Sequence, residues 1–314
     1  MSSTKKAGEA VWVRPGHMSK KGTHYILRGS SGRLVVCVHG IGSYSYCFDK
    51  IAKDLEKEGR RVLQYDLMGR GWSEPAADDV DYGGEGHVTQ LRQLLEELHL
   101  ENEPFDLIAH SMGGALAAHY LAKYPPKSEH NMHVVLLSPA GLMKPGMIKV
   151  LRSLSCMHGM IAKMLKSGQE GEWRKDFYFH KGEAATFEVE MLEAQRKQAQ
   201  NNPHSFHAFF QSALRFPLYG NTELVEGVGK MPIKALVMWA KQDKAVPCQP
   251  SLARWQQALS KGGASVETET WDKAAHGFFL ERPVEASNRI KGFLSSATAP
   301  SAPAVVTVGS NSPP

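Results

Sequence analysis

Short apolar runs alternate with helical patterns through the first half of the chain. Tyr25-Ile26-Leu27 predicts an edge strand and Arg33-Leu34-Val35-Val36-Cys37-Val38 a buried one. A helix is expected over Phe48 to Gly59, a strand over Arg61 to Asp66 and a helix over His87 to Leu98. Leu107-Ile108 predicts a further strand, followed by a helix that runs to Tyr124 and stops at Pro125-Pro126; His133 to Leu137 reads as the next strand. Valine-, isoleucine- and leucine-rich runs separated by helices imply a parallel sheet covered on both faces.

The alternation breaks at Ser138-Pro139-Ala140-Gly141, and no strand pattern returns before about Gly229. Met147 to Lys166 carries apolar residues at Met147, Val150, Leu151, Leu154, Met157, Ile161, Met164 and Leu165, one face of a helix. Glu183 to Gln200 predicts a second, more charged helix. Ile233 to Trp239 resumes the strands, followed by a helix over Ser251 to Leu259, a strand over Val266 to Thr270 and a last helix over Val284 to Leu294. This divides the chain into an N-terminal arm (1–24), a core in two parts (25–141 and 230–295), a helical insertion (142–229) and a tail (296–314). The tail has no charged residue and is expected to be disordered.

An apolar fraction of 42% with 22% charged residues fits a soluble globular enzyme. The net charge of +5 comes from scattered lysines and arginines, so no nucleic-acid partner is expected. Cys37, Cys47, Cys156 and Cys248 are far apart, which suits a reduced compartment and thiols used as small core residues. No apolar run reaches the roughly 18 residues of a membrane span. The start of the chain lacks an apolar signal region, although Lys5, Lys6, Arg14, Lys20, Lys21 and Arg28 face only Glu9, which leaves organelle targeting open. A cytoplasmic location is the default expectation, and the oligomeric state is not legible.

The chemistry concentrates at Ala109-His110-Ser111-Met112-Gly113, between the strand at Leu107-Ile108 and a small-residue helix. A serine flanked two residues either way by Ala or Gly, at a strand-to-helix turn, meets the steric demand of a nucleophile elbow. Val38-His39-Gly40-Ile41-Gly42 leaves the buried strand one unit earlier. Its glycines let a backbone amide face the serine, so the oxyanion hole is assigned to the N–H groups of Ile41 and Met112. Asp243 follows the strand ending at Trp239, and His276 follows the last strand. A serine hydroxyl needs a base to take its proton. His276 supplies that base, and Asp243 fixes its tautomer.

Position separates the competing residues. Asp272, four residues before His276, is the main rival acid, ahead of Asp66 and Asp106. His110 reads as a local packing residue. His130/His133 and His204/His207 lack the cysteine or carboxylate partners of a metal site, so no metal is expected. Gly69-Arg70-Gly71 lacks the remainder of a phosphate loop and reads as a turn. The Met-rich helix at 147–166 has Lys149, Arg152, Lys163 and Lys166 opposite its apolar face, which admits a packing helix, an acyl-binding wall or transient membrane contact.

In the order of these motifs the chain resembles the α/β-hydrolase superfamily. The branch is that of helically capped serine hydrolases, which includes monoacylglycerol-lipase-like and carbon–carbon bond hydrolases. The resemblance rests on His39-Gly40-Ile41-Gly42, Asp66 to Ser73, the Ser111 elbow, Ser138 to Leu142, Asp243 with Val246-Pro247, and His276 with Leu280-Glu281-Arg282-Pro283, and covers about residues 25–295. It implies an α/β-hydrolase fold with a mostly parallel central sheet flanked by helices and an inserted helical cap. It also implies hydrolysis of small-molecule or lipid-like esters of apolar acyl groups, through an acyl-enzyme on Ser111 and without a cofactor. Serine at the elbow speaks against the dehalogenases and epoxide hydrolases of the fold, which use aspartate there. Leu154, Met157 and Phe210 are the candidates for an acyl-binding wall. Carbon–carbon bond or thioester hydrolysis, with Arg174 or Arg215 in the pocket, is the enzymatic alternative. A weakly catalytic small-molecule receptor is the non-enzymatic one.

Overall fold

A computed structural model describes residues 15–75, 81–127, 131–153, 197–198 and 200–296. Among the described residues eight strands form one sheet in the order β1-β2-β4-β3-β5-β6-β7-β8. They are β1 (His17–Met18), β2 (His24–Arg28), β3 (Leu34–Val38), β4 (Arg61–Tyr65), β5 (Phe105–His110), β6 (Met132–Leu137), β7 (Ile233–Ala240) and β8 (Ser265–Trp271). The pairs β1–β2 and β2–β4 are antiparallel, and every other pairing is parallel. This is the α/β-hydrolase fold.

Tyr25 to Leu27 is not at the sheet edge as expected. β1 pairs beyond it, with His17 opposite Tyr25 and Met18 opposite His24. A two-residue strand inside the expected N-terminal arm carries no periodicity that could announce it. At the other edge, Glu267 and Glu269 of β8 bind Arg289 at 2.7 and 2.6 Å. Charge on an exposed strand discourages pairing with a further chain.

The core lies in two layers, because successive strand residues point to opposite faces. On β3, Leu34, Val36 and Val38 join one layer with α2 (Gly84–Glu97) and α3 (Met112–Lys123), while Val35 and Cys37 join the other. That second layer is closed by α1 (Asp49–Lys57) and α9 (Pro283–Ser295). All five residues of β3 are buried, which explains why the run reads as uninterrupted hydrophobicity. Cys37, Cys47 and Cys248 are buried without a disulfide among the described residues.

Between β6 and β7 the described residues form helices: α4 (Gly146–Ser153), α5 (Ser205–Arg215) and α6 (Thr222–Gly229). α4 covers the start of the helix expected over 147–166. The rest of that helix, including Leu154 and Met157, and residues 183–196 of the next lie outside the described residues. Arg152, expected on an outward basic face, instead bonds the carbonyls of Ala213 and Phe216 and covers the Tyr219 ring at 5.0 Å. α7 (Cys248–Gly262) links β7 to β8, and the short α8 (Phe278–Glu281) precedes α9. Among the described residues no helix is long and apolar enough to cross a membrane.

Candidate active site

β5 ends at His110 and α3 begins at Met112, so one residue makes the whole turn. That residue, Ser111, has φ 56° and ψ −122°. A non-glycine residue there stores about 1–3 kcal/mol of strain. The turn is held by Ser111 N–H donating to the Leu137 carbonyl (3.0 Å), with the Ser111 carbonyl accepting from Gly114 and Ala140 (both 2.9 Å). Gly113 has no alternative, since a Cβ there would lie 2.2 Å from the Val38 carbonyl oxygen. On the other side of the serine, β5 accommodates the methyl of Ala109 in its buried layer.

The loop after β3 passes directly over the serine. A Cβ on Gly40 would stand 3.0 Å from Ser111 Cβ and 3.5 Å from its Oγ. His39 is fully buried; its Nε2 accepts from Leu67 N–H (2.9 Å), so Nδ1 carries the proton and donates to the Gly40 carbonyl (2.8 Å). Ser43 N–H donates to the same carbonyl at 3.3 Å. That carbonyl shares a planar trans peptide with Ile41 N–H, and the two point in opposite directions. Fixing one therefore aims the other. Met112 is the first residue of α3, where amides have no intrahelical acceptor and the helix dipole is positive.

Asp243 and His276 meet beyond the carboxyl ends of β7 and β8. Nδ1 of His276 donates to Oδ2 of Asp243 at 2.7 Å, with both side chains buried. The second oxygen, Oδ1, accepts from Val246 N–H at 2.8 Å. Trp239 Nε1 donates to the Val246 carbonyl at 2.9 Å and so ties the acid loop to its own strand. Gln242 N–H donates to the Ala274 carbonyl, and Ala274 N–H donates to Gln242 Oε1 (both 3.2 Å), joining the acid and histidine loops. The buried Glu281 accepts from Ala275 N–H at 2.8 Å. Val246 and Glu281 belong to the motifs that carry the family resemblance, whereas Gln242 has no sequence signal of its own and is made specific by its contact with Ala274.

His110 brings this pair to the elbow. Its Nε2 donates to the His276 carbonyl at 3.2 Å, and the two rings lie 4.6 Å apart. Burial, then the neighbouring His276, holds the His110 pKa well below the ordinary imidazole value. A neutral His110 can donate from Nε2 without adding charge beside His276.

The rival acids are engaged elsewhere. Asp272 is exposed and pairs with Lys241 at 2.9 Å. Asp66 accepts from Ser45 N–H, Trp72 N–H and His24 Nδ1, which fixes the loops after β3 and β4. Asp106 lies at the opposite end of its strand's pairing, bound to Arg33 and Arg60. Phe210 is buried on α5 against Phe206, their ring centroids 6.1 Å apart. Arg215 is exposed, 3.9 Å from Asp81, and Arg174 lies outside the described residues.

The serine aminopeptidase, S33, family matches residues 29–283. Monoacylglycerol lipase abhd6-B of Xenopus laevis is 25% identical over 289 residues, covering 87% of this chain and 79% of its own. The monoacylglycerol lipase ABHD6 of Homo sapiens is 24% identical over 285 residues, with the same shares of 87% and 79%. Among solved structures, the esterase EaEST from Exiguobacterium antarcticum superposes with a TM-score of 0.66 at 20% identity, over 87% of this chain and 96% of that one.

Proposed function

The chain belongs to the serine aminopeptidase S33 family, and from that premise we propose that it hydrolyses carboxylic esters of apolar acyl groups through an acyl-enzyme on Ser111. One observation carries the reading: the imidazole of the buried 2.7 Å His276–Asp243 bond lies 4.6 Å from the ring of His110, the residue before a serine held at positive φ. Its Nδ1 being occupied, His276 has Nε2 to offer Ser111. In this reaction Ser111 Oγ attacks the ester carbonyl while His276 takes its proton. The carbonyl oxygen becomes an oxyanion held by the amides of Ile41 and Met112. Collapse expels the alcohol, which leaves with the proton from His276. Water, deprotonated by the same histidine, then releases the acid and restores Ser111. Asp243 stabilises the imidazolium at each stage.

The substrate class is supported by relatives named as monoacylglycerol lipases and by the amphipathic helices between β6 and β7. In this reading residues 142–229 are a cap over Ser111, with Leu154, Met157 and Phe210 lining the acyl channel. The enzyme is cytoplasmic and reaches lipid by transient surface contact. The exposed pairing of Arg215 with Asp81 leaves Arg174 as the pocket cation that the carbon–carbon alternative would use.

The test is labelling by a fluorophosphonate together with turnover of a p-nitrophenyl ester chain-length series, a monoacylglycerol and an aminoacyl p-nitroanilide. We expect labelling at Ser111, preference for the esters over the anilide, and a loss of several orders of magnitude in Ser111→Ala. Equal ester turnover by Ser111→Ala overturns the assignment.

A further inference from the structure

Arg70 is 1% exposed, and among the described residues all its hydrogen bonds go to neutral oxygens. Nε donates to the Ile41 carbonyl, Nη1 to the Met68 carbonyl, and Nη2 to the Ala208 carbonyl (each 3.0 Å) and to Ser212 Oγ (2.8 Å). Burying a guanidinium without a carboxylate is costly, and an apolar side chain of similar volume would fill the space more cheaply. Burial lowers the Arg70 pKa to about 9, which still leaves it protonated at neutral pH. What the arginine supplies, and an apolar residue cannot, is a rigid fork that reaches three segments at once. These are the loop over Ser111, the turn at 68–71 and helix α5.

The turn itself is shaped to receive α5. Gly69 has φ +71°, and a Cβ on it would stand 2.7 Å from Ala208 Cβ. Asn202 Nδ2 donates to the carbonyls of Gly69 (3.3 Å) and Gly71 (3.1 Å), and Gly71 N–H donates to Gln198 Oε1 at 2.6 Å. Met68, Tyr82 and Ala208 close an apolar patch at the same contact. At the other end of the fork, the two peptide planes flanking Ile41 are each held. His39 holds the Gly40 carbonyl and Arg70 holds the Ile41 carbonyl.

We propose that Arg70 is a positioning residue that couples the seating of α5 to the aim of the Ile41 amide, so that docking of this helix sets the rate of acyl transfer. Lifting α5 removes two of the four acceptors from a buried cation. The guanidinium must then shift or admit water, and either change loosens the Ile41 carbonyl. The inference rests on the reading of Ser111 as nucleophile and of the Ile41 amide as an oxyanion donor.

The test compares full-length wild type with Arg70→Gln, Arg70→Lys and Ser212→Ala. The readouts are kcat and KM on p-nitrophenyl butyrate, Ki for a trifluoromethyl ketone, whose tetrahedral adduct on the serine places an oxyanion in the hole, and melting temperature. Loss of a whole hole donor costs about 10²–10³ in rate, so misaiming one in Arg70→Gln should lower kcat by about 10–100-fold. KM should stay within about threefold, and the ketone Ki should rise by the same factor as kcat falls. Lysine, a point charge without the fork, should leave most of that loss in place. Ser212→Ala removes the side-chain acceptor at the α5 end, together with the 3.2 Å Ser212 Oγ–His87 Nε2 bond, and should still lower kcat, by about 3–10-fold, at unchanged KM. Ser212→Ala turning over at the wild-type rate, or Arg70→Lys restoring it, overturns the coupling. Should Arg70→Gln fail to fold, Ser212→Ala decides alone. Wild type that neither labels with fluorophosphonate nor turns over ester fails the hydrolase reading itself, a different result from normal variants of an active enzyme.

Discussion

Asp243 presents one carboxylate oxygen to His276 Nδ1 at 2.7 Å and the other to the amide of Val246 at 2.8 Å. A carboxylate so placed does more than balance charge. It holds a single imidazole tautomer with Nε2 available as a base. Asp243→Asn should therefore leave the fold intact while lowering kcat by up to about 10⁴-fold, the scale found when the triad acid becomes an amide. Asp272→Asn, which removes only a surface pair with Lys241, should leave kcat within about twofold. Steady-state kinetics on one ester, with melting curves for both variants, checks the contrast.

The proposed oxyanion amides of Ile41 and Met112 predict a different pattern. His39→Phe keeps a ring of similar volume but removes the donor to the Gly40 carbonyl and the acceptor for Leu67 N–H. The 40–41 peptide then loses its anchor, and kcat should fall about 10–100-fold, short of the full loss of a donor. Met112→Leu retains the backbone amide and should stay within about tenfold of wild type. A deeper loss in Met112→Leu would give its side chain a part that the oxyanion assignment does not include.

Two buried histidines predict how stability depends on pH. Burial, then Arg70 for His87 and His276 for His110, holds both imidazoles well below the ordinary 6.5. In the native state they stay neutral, while the unfolded chain takes up a proton at each below pH 6.5. The unfolded state then binds more protons, so stability falls as pH drops through 6.5, by up to about 1.4 kcal/mol per pH unit for each group. Above that value their contribution is constant. Asp106 acts in a lower window. Burial opposes its ionisation, but bonds from His133 and the charge of Arg33 outweigh it and hold its pKa below 3.8. Its stabilisation is present above 3.8 and lost only as pH falls below. Melting temperatures between pH 8 and 5 should bend near 6.5. His87→Phe, set among Tyr82 and Phe216, should flatten that slope by about half.

The strands of the core were legible because each is a short buried run whose hydrophobicity is its own signal. Ser111, Asp243 and His276 stood out because the chemistry demands rare neighbours, small residues at the elbow and an acid or histidine just past a strand. Arg70 lies in the Asp66 to Ser73 motif, but its role between the Ser111 loop and α5 was not legible. Its sequence context, Gly69-Arg70-Gly71, is that of any turn, and its partners are mostly carbonyls, which every residue has. α5 escaped for a related reason: the face it turns to the core includes Ala208 and Ser212, small and polar residues that blur a helical hydrophobic period. Distant loop contacts made by ordinary residues leave no local pattern.

The insertion between β6 and β7 yields the last prediction. Among the described residues strands cease after Leu137 and resume at Ile233, while Ser111 precedes that gap and Asp243 and His276 follow it. In open α/β sheets ligands bind beyond the carboxyl ends of the strands. An insertion leaving β6 at that end is therefore placed to shape the pocket, and α5 already meets the 68–71 turn there. If Leu154, Met157 and Phe210 line the acyl channel, enlarging one of them shortens the chain that fits. One methylene in an apolar pocket is worth about 1–3 kcal/mol, or 10–200-fold in kcat/KM. Phe210→Trp and Met157→Trp should thus move the optimum of a p-nitrophenyl ester series to shorter acyl groups by at least two carbons. Labelling of Ser111 by a small fluorophosphonate should stay within about threefold of wild type, since that probe reaches no deeper than the hole. A wild-type chain-length profile in both variants would remove these residues from the pocket wall. Equal slowing of all substrates and of the probe would instead assign them to the seating of the helices.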